Sequence, residues 1–316
     1  MYQWSTSTYK SLCCTSYDYE TMQIQVPRWC LRDDFLMNGV FAIAALEISI
    51  GECDGDEAKA AFYAQAAMEY YDRGSAEFRA GLGDINKDNC TSMYMFSSLA
   101  WIISMAIPHD RNRHYHEKGI LERTSMLMEL IMGSSLIALR SVAWIMESPL
   151  RTSIQVVVKS FLEVEEPNTL DSNDQAAFAR LNTLLEDPSL STTIPPGTYE
   201  NAVLQLRVLW REDIKQTTKG IAIAFPSLAA QDFATAVNES QPMALLILMH
   251  WAIMLHKLDV VDKLWWAKKV GQDLILEISD RLLESNTEVA TLPLFWECVA
   301  WAREQAGLPV FGAMEL

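Results

Sequence analysis

Basic residues are scarce in this sequence. Its 316 residues include 25 Lys and Arg against 41 Asp and Glu, which gives a formal net charge of −16. Proteins that bind nucleic acid use Lys and Arg side chains to displace the counterions around the phosphates. The densest basic stretch, from Arg111 to Arg113, is short. The charge balance therefore predicts that this chain does not bind nucleic acid directly.

Motifs for metals and cofactors are also missing. The six cysteines are scattered, without a C-x-x-C pair or a zinc-site spacing, and we interpret them as free thiols in a reducing compartment. His109, His114 and His116 stand in a polar stretch whose spacing does not fix a metal geometry, so we interpret it as a solvated loop. Neither a glycine-rich phosphate-binding motif nor a nucleophile elbow occurs. We therefore expect neither a metal nor a cofactor.

Strand, membrane and secretion signals are weak or absent. Alternation of apolar and polar residues does not extend beyond a few positions. The longest apolar run is too short for a membrane span, and residues 1–12 contain no apolar segment typical of a secretory signal. We therefore expect no membrane partner and a location in the nucleus or the cytoplasm.

Helical spacing of apolar residues is what the sequence has in abundance. Half of the residues are hydrophobic, and they recur at three- and four-residue intervals along most of the chain. Asp56 and Asp171 are expected helix N-caps, Gly133 is an expected helix break, and a helix is predicted from Val260 to Leu283. The sequence predicts an all-α fold, one large domain over residues 1–316, built of antiparallel helix pairs around a buried central helix.

The central helix is predicted from Met243 to Leu258, a stretch that is apolar on nearly every face. A helix without a polar face is typically buried on all sides. Ser240 is the expected N-cap, and Pro242 falls in the first turn, where its missing N–H costs nothing. We expect the other helices to enclose this one.

The same stretch carries a resemblance to a known family. Around His250 stands an A-L-x-I-L-x-H core, followed by an L-H-K-L motif and by Trp265-Trp266. This ordered series resembles the C-terminal region of fungal zinc-binuclear-cluster transcription factors, especially the sterol uptake control protein group. The segment from Ser5 to Leu12 resembles the opening of that region. The similarity covers most of the chain and is weakest between residues 155 and 200.

The resemblance implies a fold, a ligand and partners. It implies an all-α regulatory domain that binds a hydrophobic small molecule, a sterol or a secondary metabolite, in an internal cavity. It also implies control of gene expression through a homodimer, or through a heterodimer with a related regulator. The family's six-cysteine zinc cluster with its basic flank has no counterpart in these residues. The resemblance therefore does not imply direct promoter recognition by this chain.

The candidate ligand-binding residues are aromatic, sulfur-containing, aliphatic or polar side chains on the central helix and on helices expected beside it. They are Trp101, Met105, Met243, Ile247, His250, Trp251, Met254 and Trp296. Each Trp or Met also fits a plain core position. His250 stands in apolar company, where it would bind a ligand hydroxyl or, alternatively, a backbone carbonyl of the core. His256, six residues later, points to a different face.

Glu47 is the second polar residue of interest, because it falls inside an apolar helix predicted from Phe35 to Ile50. It marks the solvent-facing side of that helix, or it is buried with a partner or with a raised pKa. An alternative function follows from these residues: a natural-product enzyme of the cyclase or isomerase type, with His250 or Glu47 as acid or base. No sequence motif requires that alternative.

Overall fold

Helices make up all the regular structure in the part of the chain that the computed structural model describes, residues 1–51, 53, 55–107, 119–162, 170–187, 194–215, 218–284 and 291–310. In chain order they are α1 (Tyr2–Thr6), α2 (Asp18–Glu20), α3 (Val26–Cys30), α4 (Asp34–Gly51), α5 (Glu57–Gly81), α6 (Cys90–Ala106), α7 (Ile120–Arg140), α8 (Val142–Ile145), α9 (Arg151–Leu162), α10 (Ser172–Leu185), α11 (Thr198–Lys215), α12 (Phe225–Asn238), α13 (Pro242–Val260), α14 (Val270–Leu283) and α15 (Pro293–Gln305). Short 3-10 and π-helical turns join some of them. The prediction of an all-α fold is confirmed.

The N-terminal segment, α1 to α3, lies against the body of the domain. Trp4 is fully buried, and its indole N–H donates to the carbonyl of Met22 at 2.8 Å. Trp265 and Trp266 donate their indole N–H groups to the hydroxyl and the carbonyl of Ser11, at 2.9 and 3.0 Å. These bonds attach the start of the chain to the connection between α13 and α14.

Helices α4, α5 and α6 pack together through aromatic rings. The ring of Phe96 on α6 lies 5.8 Å from that of Phe35 and 4.9 Å from that of Phe78, measured between centroids. The predicted cap of α5 is confirmed, because the carboxylate of Asp56 accepts from the backbone N–H of Lys59 at 3.0 Å. Asp171 caps α10 in the same way through Asp174 N, at 2.8 Å.

Helix α13 occupies the centre. Every residue from Met243 to Leu255 is buried, as is Leu258. Helices α11, α12, α14 and α15 pack directly against it. The prediction of a central helix enclosed on all sides is therefore confirmed.

Two helix ends differ from the sequence prediction. The N-cap of α13 is Gln241, without a side-chain capping bond, and Ser240 adopts a left-handed backbone with φ of 55°. The hydroxyl of Ser240 instead accepts from Arg281 on α14, at 3.0 Å. Helix α14 begins at Val270, because the chain must reverse between α13 and α14 before the two can pack side by side.

The predicted break at Gly133 is also wrong. Helix α7 runs through Gly133 without interruption to Arg140, and the chain turns only at Ser141. Leu127, Ile131 and Ile137 form a buried apolar stripe along α7. Packing of such a stripe outweighs the modest helix-weakening effect of one glycine.

Two helices of the described part have the length and hydropathy of a membrane span, α4 and α13. Within the most apolar 18-residue window of each, 44% of α4 and 78% of α13 is buried inside the protein. A buried core helix meets the same criteria of length and composition. The stretch with His109, His114 and His116, predicted from the sequence as a solvated loop, lies outside the described residues.

Candidate functional site

His250 is a polar residue at the centre of the core. It lies midway along α13 and is 0% exposed. Its ring Nδ1 is 2.8 Å from the carbonyl oxygen of Leu246, one turn earlier. Because a carbonyl only accepts, Nδ1 carries the proton and Nε2 presents a lone pair. None of the described residues donates a hydrogen bond to Nε2.

The surroundings keep the ring of His250 neutral. Burial lowers its pKa from the usual 6.5 to about 4. The bond to Leu246 raises the pKa and the positive charge of Arg180 lowers it, both less than burial does. At neutral pH the ring is therefore an uncharged acceptor at Nε2 and a donor at Nδ1.

An aromatic stack covers one side of the His250 ring. The ring of Trp301 on α15 lies 5.2 Å away at an angle of 26°. Trp301 donates its indole N–H to the side-chain oxygen of Asn173 on α10, at 3.2 Å. The next ring, Trp210 of α11, is 5.9 Å from Trp301. Helices α10, α11, α13 and α15 thus meet at this stack.

The outer end of the stack carries charge. Trp210 donates its indole N–H to the buried carboxylate of Asp174 at 2.8 Å, and the ammonium of Lys257 lies 4.3 Å above the Trp210 ring. Burial raises the pKa of Asp174, while the bond from Trp210 lowers it. A cation on the face of an aromatic ring is favourable, so Lys257 closes the stack toward solvent.

Arg180 of α10 is a further polar residue near His250, and we call His250, Arg180 and Cys298 the polar centre. Its charge acts on His250 of α13 and on Cys298 of α15, and it also hydrogen-bonds Cys298. Burial raises the pKa of the Cys298 thiol to about 12, so the sulfur remains protonated. The Nε of Arg180 is buried and finds no acceptor in the described part of the chain. His250 Nε2 and Arg180 Nε are thus an acceptor atom and a donor atom that are buried without a partner among the described residues.

Five of the predicted ligand-binding residues share one face of α13. Met243, Ile247, His250, Trp251 and Met254 fall within an arc of about 100°. All five are buried against neighbouring helices. The ring of Trp301, which stacks on His250, covers part of this face.

Trp251 is at the edge of that face and is already bonded. Its indole N–H donates to the carbonyl of Ala222 at 2.7 Å. Its ring lies 5.8 Å from that of Phe225. Trp251 therefore has no free polar atom to offer a ligand.

The other three predicted residues lie on α6 and α15. Trp101 contacts Trp266 edge-on at 5.8 Å, and Trp296 contacts Phe295 edge-on at 5.9 Å. Met105 lines a small cavity of about 10 Å³ between α6, α7 and the start of α14. Its lining residues are Ser104, Met105, Ile120, Arg123, Thr124, Leu127 and Val270. A cavity of this size holds about one water molecule.

Glu47 has partners on the N-terminal segment. Its half-buried carboxylate accepts from Gln3 Nε2 at 3.1 Å, from Ser7 Oγ at 3.0 Å and from Thr8 Oγ1 at 2.5 Å. The sequence left several interpretations of Glu47 open, and the structure shows the one in which its carboxylate has hydrogen-bond partners. Glu47 therefore attaches the N-terminal segment to α4.

Sequence reasoning found His250 and missed its neighbours. His250 is conspicuous because it interrupts an apolar run. Arg180 and Cys298 stand 70 and 48 residues away from it in the sequence, and their helices are brought to this region when α15 packs against α13 and α10 packs against α15. A weak signal existed for Arg180, which borders the buried stripe of Ala177, Leu181 and Leu184 on α10.

Comparison with known proteins yields no match, either to the protein-family models or to the curated proteins. The resemblance described above therefore rests on the motifs around His250 and the N-terminal segment. The all-α fold by itself does not specify a function. The function has to be argued from the polar centre and from the helices that enclose it.

Proposed function

We propose that this chain is a regulatory domain that senses a hydrophobic small molecule, a sterol or a secondary metabolite, and controls gene expression through a second copy or a related regulator. The observation that carries the proposal is the unpaired Nε2 of His250 in the middle of α13, the helix that the others enclose. A buried polar atom without a partner costs about 1–3 kcal/mol. A ligand with one polar group and an apolar body removes that cost.

The aromatic and sulfur-rich face of α13 supplies the apolar surface for such a ligand. Met243 and Met254 lie on the His250 face, and Met side chains adapt easily to the shape of a guest. Burial of apolar ligand surface contributes roughly 25 cal/mol per Å². A sterol-sized molecule thus gains enough to move helices that pack on this face.

Binding requires such a movement. The ring of His250 is 0% exposed and stacks on Trp301, so a sterol-sized ligand reaches Nε2 only if the helices covering His250 separate from α13. Helix α15 carries Trp301 and Cys298, and α10 carries Asn173 and Arg180, so these two helices form the cover. We propose that the ligand favours an open packing of the cover and thereby changes the surface that a partner recognises.

The experiment is a titration with sterols and polyketides, followed by tryptophan fluorescence and thermal unfolding. Trp301 and Trp210 lie beside the site, so we expect a saturable fluorescence change. A ligand present at 100 times its Kd should stabilise the chain by about 2.7 kcal/mol. The variant Trp301→Phe, which retains a ring on His250, should lose much of the fluorescence change and keep the stabilisation.

Two outcomes would decide against the sensing role. The absence of stabilisation by any apolar ligand would contradict it. Recovery of a chemically converted ligand after incubation would favour the enzyme alternative, with His250 as acid or base in the same space. The sensing role predicts that the ligand is extracted unchanged.

A further inference from the structure

Helix α7 presents a row of residues to solvent, which we call the α7 stripe: Glu129, Gly133, Leu136 and Arg140. Their spacing of four, three and four residues keeps them on one face of the helix. Helices α6, α12 and α14 pack on the other sides of α7, where Ile131 is buried. The α7 stripe is therefore open to solvent in the described part of the chain.

The middle of the α7 stripe is apolar and combines a ridge with a notch. Leu136 is 54% exposed, and Leu139 at its edge is 68% exposed. Gly133 has no side chain, and none of the described atoms would lie within 4 Å of an added Cβ. A second helix can place a leucine side chain over this glycine, because the distance between packed helices depends on the side chains at the contact.

The two ends of the α7 stripe carry opposite charges. Glu129 and Arg140 are exposed, and neither forms an ion pair with a described residue. They stand about 16 Å apart along the helix, so they do not reach each other within one chain. Both charges are thus available to another molecule.

The order of the four residues fits a second copy of the same helix running in the opposite direction. Glu129 and Arg140 are placed symmetrically about the point between residues 134 and 135, and so are Gly133 and Leu136. A two-fold axis at that point brings each residue next to its counterpart on the other copy. Leu136 then lies over Gly133 and Glu129 faces Arg140, and each contact occurs twice.

We infer that the α7 stripe is the surface through which a second copy of this chain binds, with the two α7 helices antiparallel. A net charge of −16 makes two copies repel each other, so a contact between them requires complementary local charges. The stripe is smaller than a standard interface, so the pair is a reversible one. Its role in gene control rests on the proposed function, but the pair forms without ligand, because α7 is not part of the cover over His250.

Analytical ultracentrifugation of the full chain without ligand, from about 1 to about 200 μM, measures the dimer Kd. Glu129→Arg sets two positive charges against each other at both ends, and Arg140→Glu sets two negative charges against each other. Each change should raise the Kd about tenfold or more. Both changes in one chain recreate opposite charges and should return the Kd to within about threefold of the original.

An equimolar mixture of the two single variants tests the antiparallel pairing itself. In a mixed pair, the two arginines of the Glu129→Arg chain face the two glutamates of the Arg140→Glu chain. We expect mixed dimers at a concentration where each variant alone is monomeric. Glu69→Arg and Arg73→Glu on the surface of α5 are the matched controls, because they change the net charge equally but lie outside the stripe, and they should leave the Kd within about twofold.

The outcomes separate this dimer from the sensing role. A chain that stays monomeric over the whole range overturns the dimer and leaves ligand sensing to the titration with sterols and polyketides. A dimer that keeps its Kd in both single variants, or single variants that fail to pair with each other, also overturns it. A dimer that responds to the variants as expected stands even if no apolar ligand stabilises the chain.

Discussion

At the scale of the residue, His250 links the stability of the domain to pH. Its pKa is about 4 in the folded chain and about 6.5 when exposed, so the unfolded chain binds the proton more readily between these values. Stability therefore falls as pH decreases from about 6.5 to about 4, by about 3 kcal/mol in total from this residue. Above pH 6.5 both states are neutral at this ring, and the contribution is constant.

The prediction is checked by urea unfolding of the unmodified chain and of His250→Phe between pH 7.5 and 4.5, roughly the range of the shift. Other titrating groups act on both proteins, so the difference in unfolding free energy isolates His250. We expect His250→Phe to gain stability relative to the unmodified chain as the pH is lowered. A difference that does not change with pH would contradict the buried, neutral histidine.

At the residue scale, the sequence predicts some features well and others not at all. A polar residue in an apolar run, such as His250, is visible because burial of the run follows from its composition. The partners of such a residue are not visible, because Arg180 lies on a helix whose packing depends on the whole fold. The same applies to Ser240, whose side chain bonds Arg281 instead of capping the helix beside it.

At the scale of the element, the contact between α13 and α14 depends on a glycine. A Cβ atom at Gly271 would overlap the carbonyl oxygen of Ala252 and the backbone N of His256. Both are backbone atoms of α13 and cannot move aside, so Gly271→Ala should force the two helices apart. We expect a loss of about 2 kcal/mol or more, measured by urea unfolding.

Gly133 of α7 is the matched control for this prediction. It is also a glycine inside a helix, but none of the described atoms would lie within 4 Å of an added Cβ. Gly133→Ala should therefore stabilise the chain by up to about 1 kcal/mol, through helix propensity alone. Equal effects of the two substitutions would show that the close approach of α14 to α13 is absent in solution.

Helices were predictable where the local signal and the packing agree. Asp56 and Asp171 cap helices because a short carboxylate beside free backbone N–H groups is favourable in any context. Gly133 failed as a break, and the start of α14 was misplaced, because packing partners decide both. Lys263 and Lys269 adopt left-handed backbones at the turn before α14. This conformation is uncommon for lysine, so the sequence does not predict it.

At the scale of the whole molecule, Glu47 holds the N-terminal segment on the domain. Loss of its carboxylate leaves Gln3, Ser7 and Thr8 without their shared acceptor. Glu47→Ala should destabilise the chain by about 1–3 kcal/mol, and Glu47→Gln by less because one acceptor oxygen remains. Thermal unfolding and proteolysis near the N-terminus measure the effect.

An exposed glutamate provides the comparison. Glu69 forms a 3.9 Å ion pair with Arg73 on the surface of α5. Such a pair is worth little in water, so Glu69→Ala should change stability by less than about 0.5 kcal/mol. If both substitutions had the same small effect, the N-terminal segment would not be fixed through Glu47.

The central claim is that a hydrophobic ligand lies against the His250 face of α13, inside the helices that surround it. NMR of the chain labelled at its methionine methyl groups, during titration with ergosterol, tests this claim most directly. The account predicts large shifts at Met243 and Met254, which are 1% and 0% exposed, with no change at Met126, which is 43% exposed. Unchanged signals from Met243 and Met254 at saturation, or a shift at Met126 alone, would contradict it.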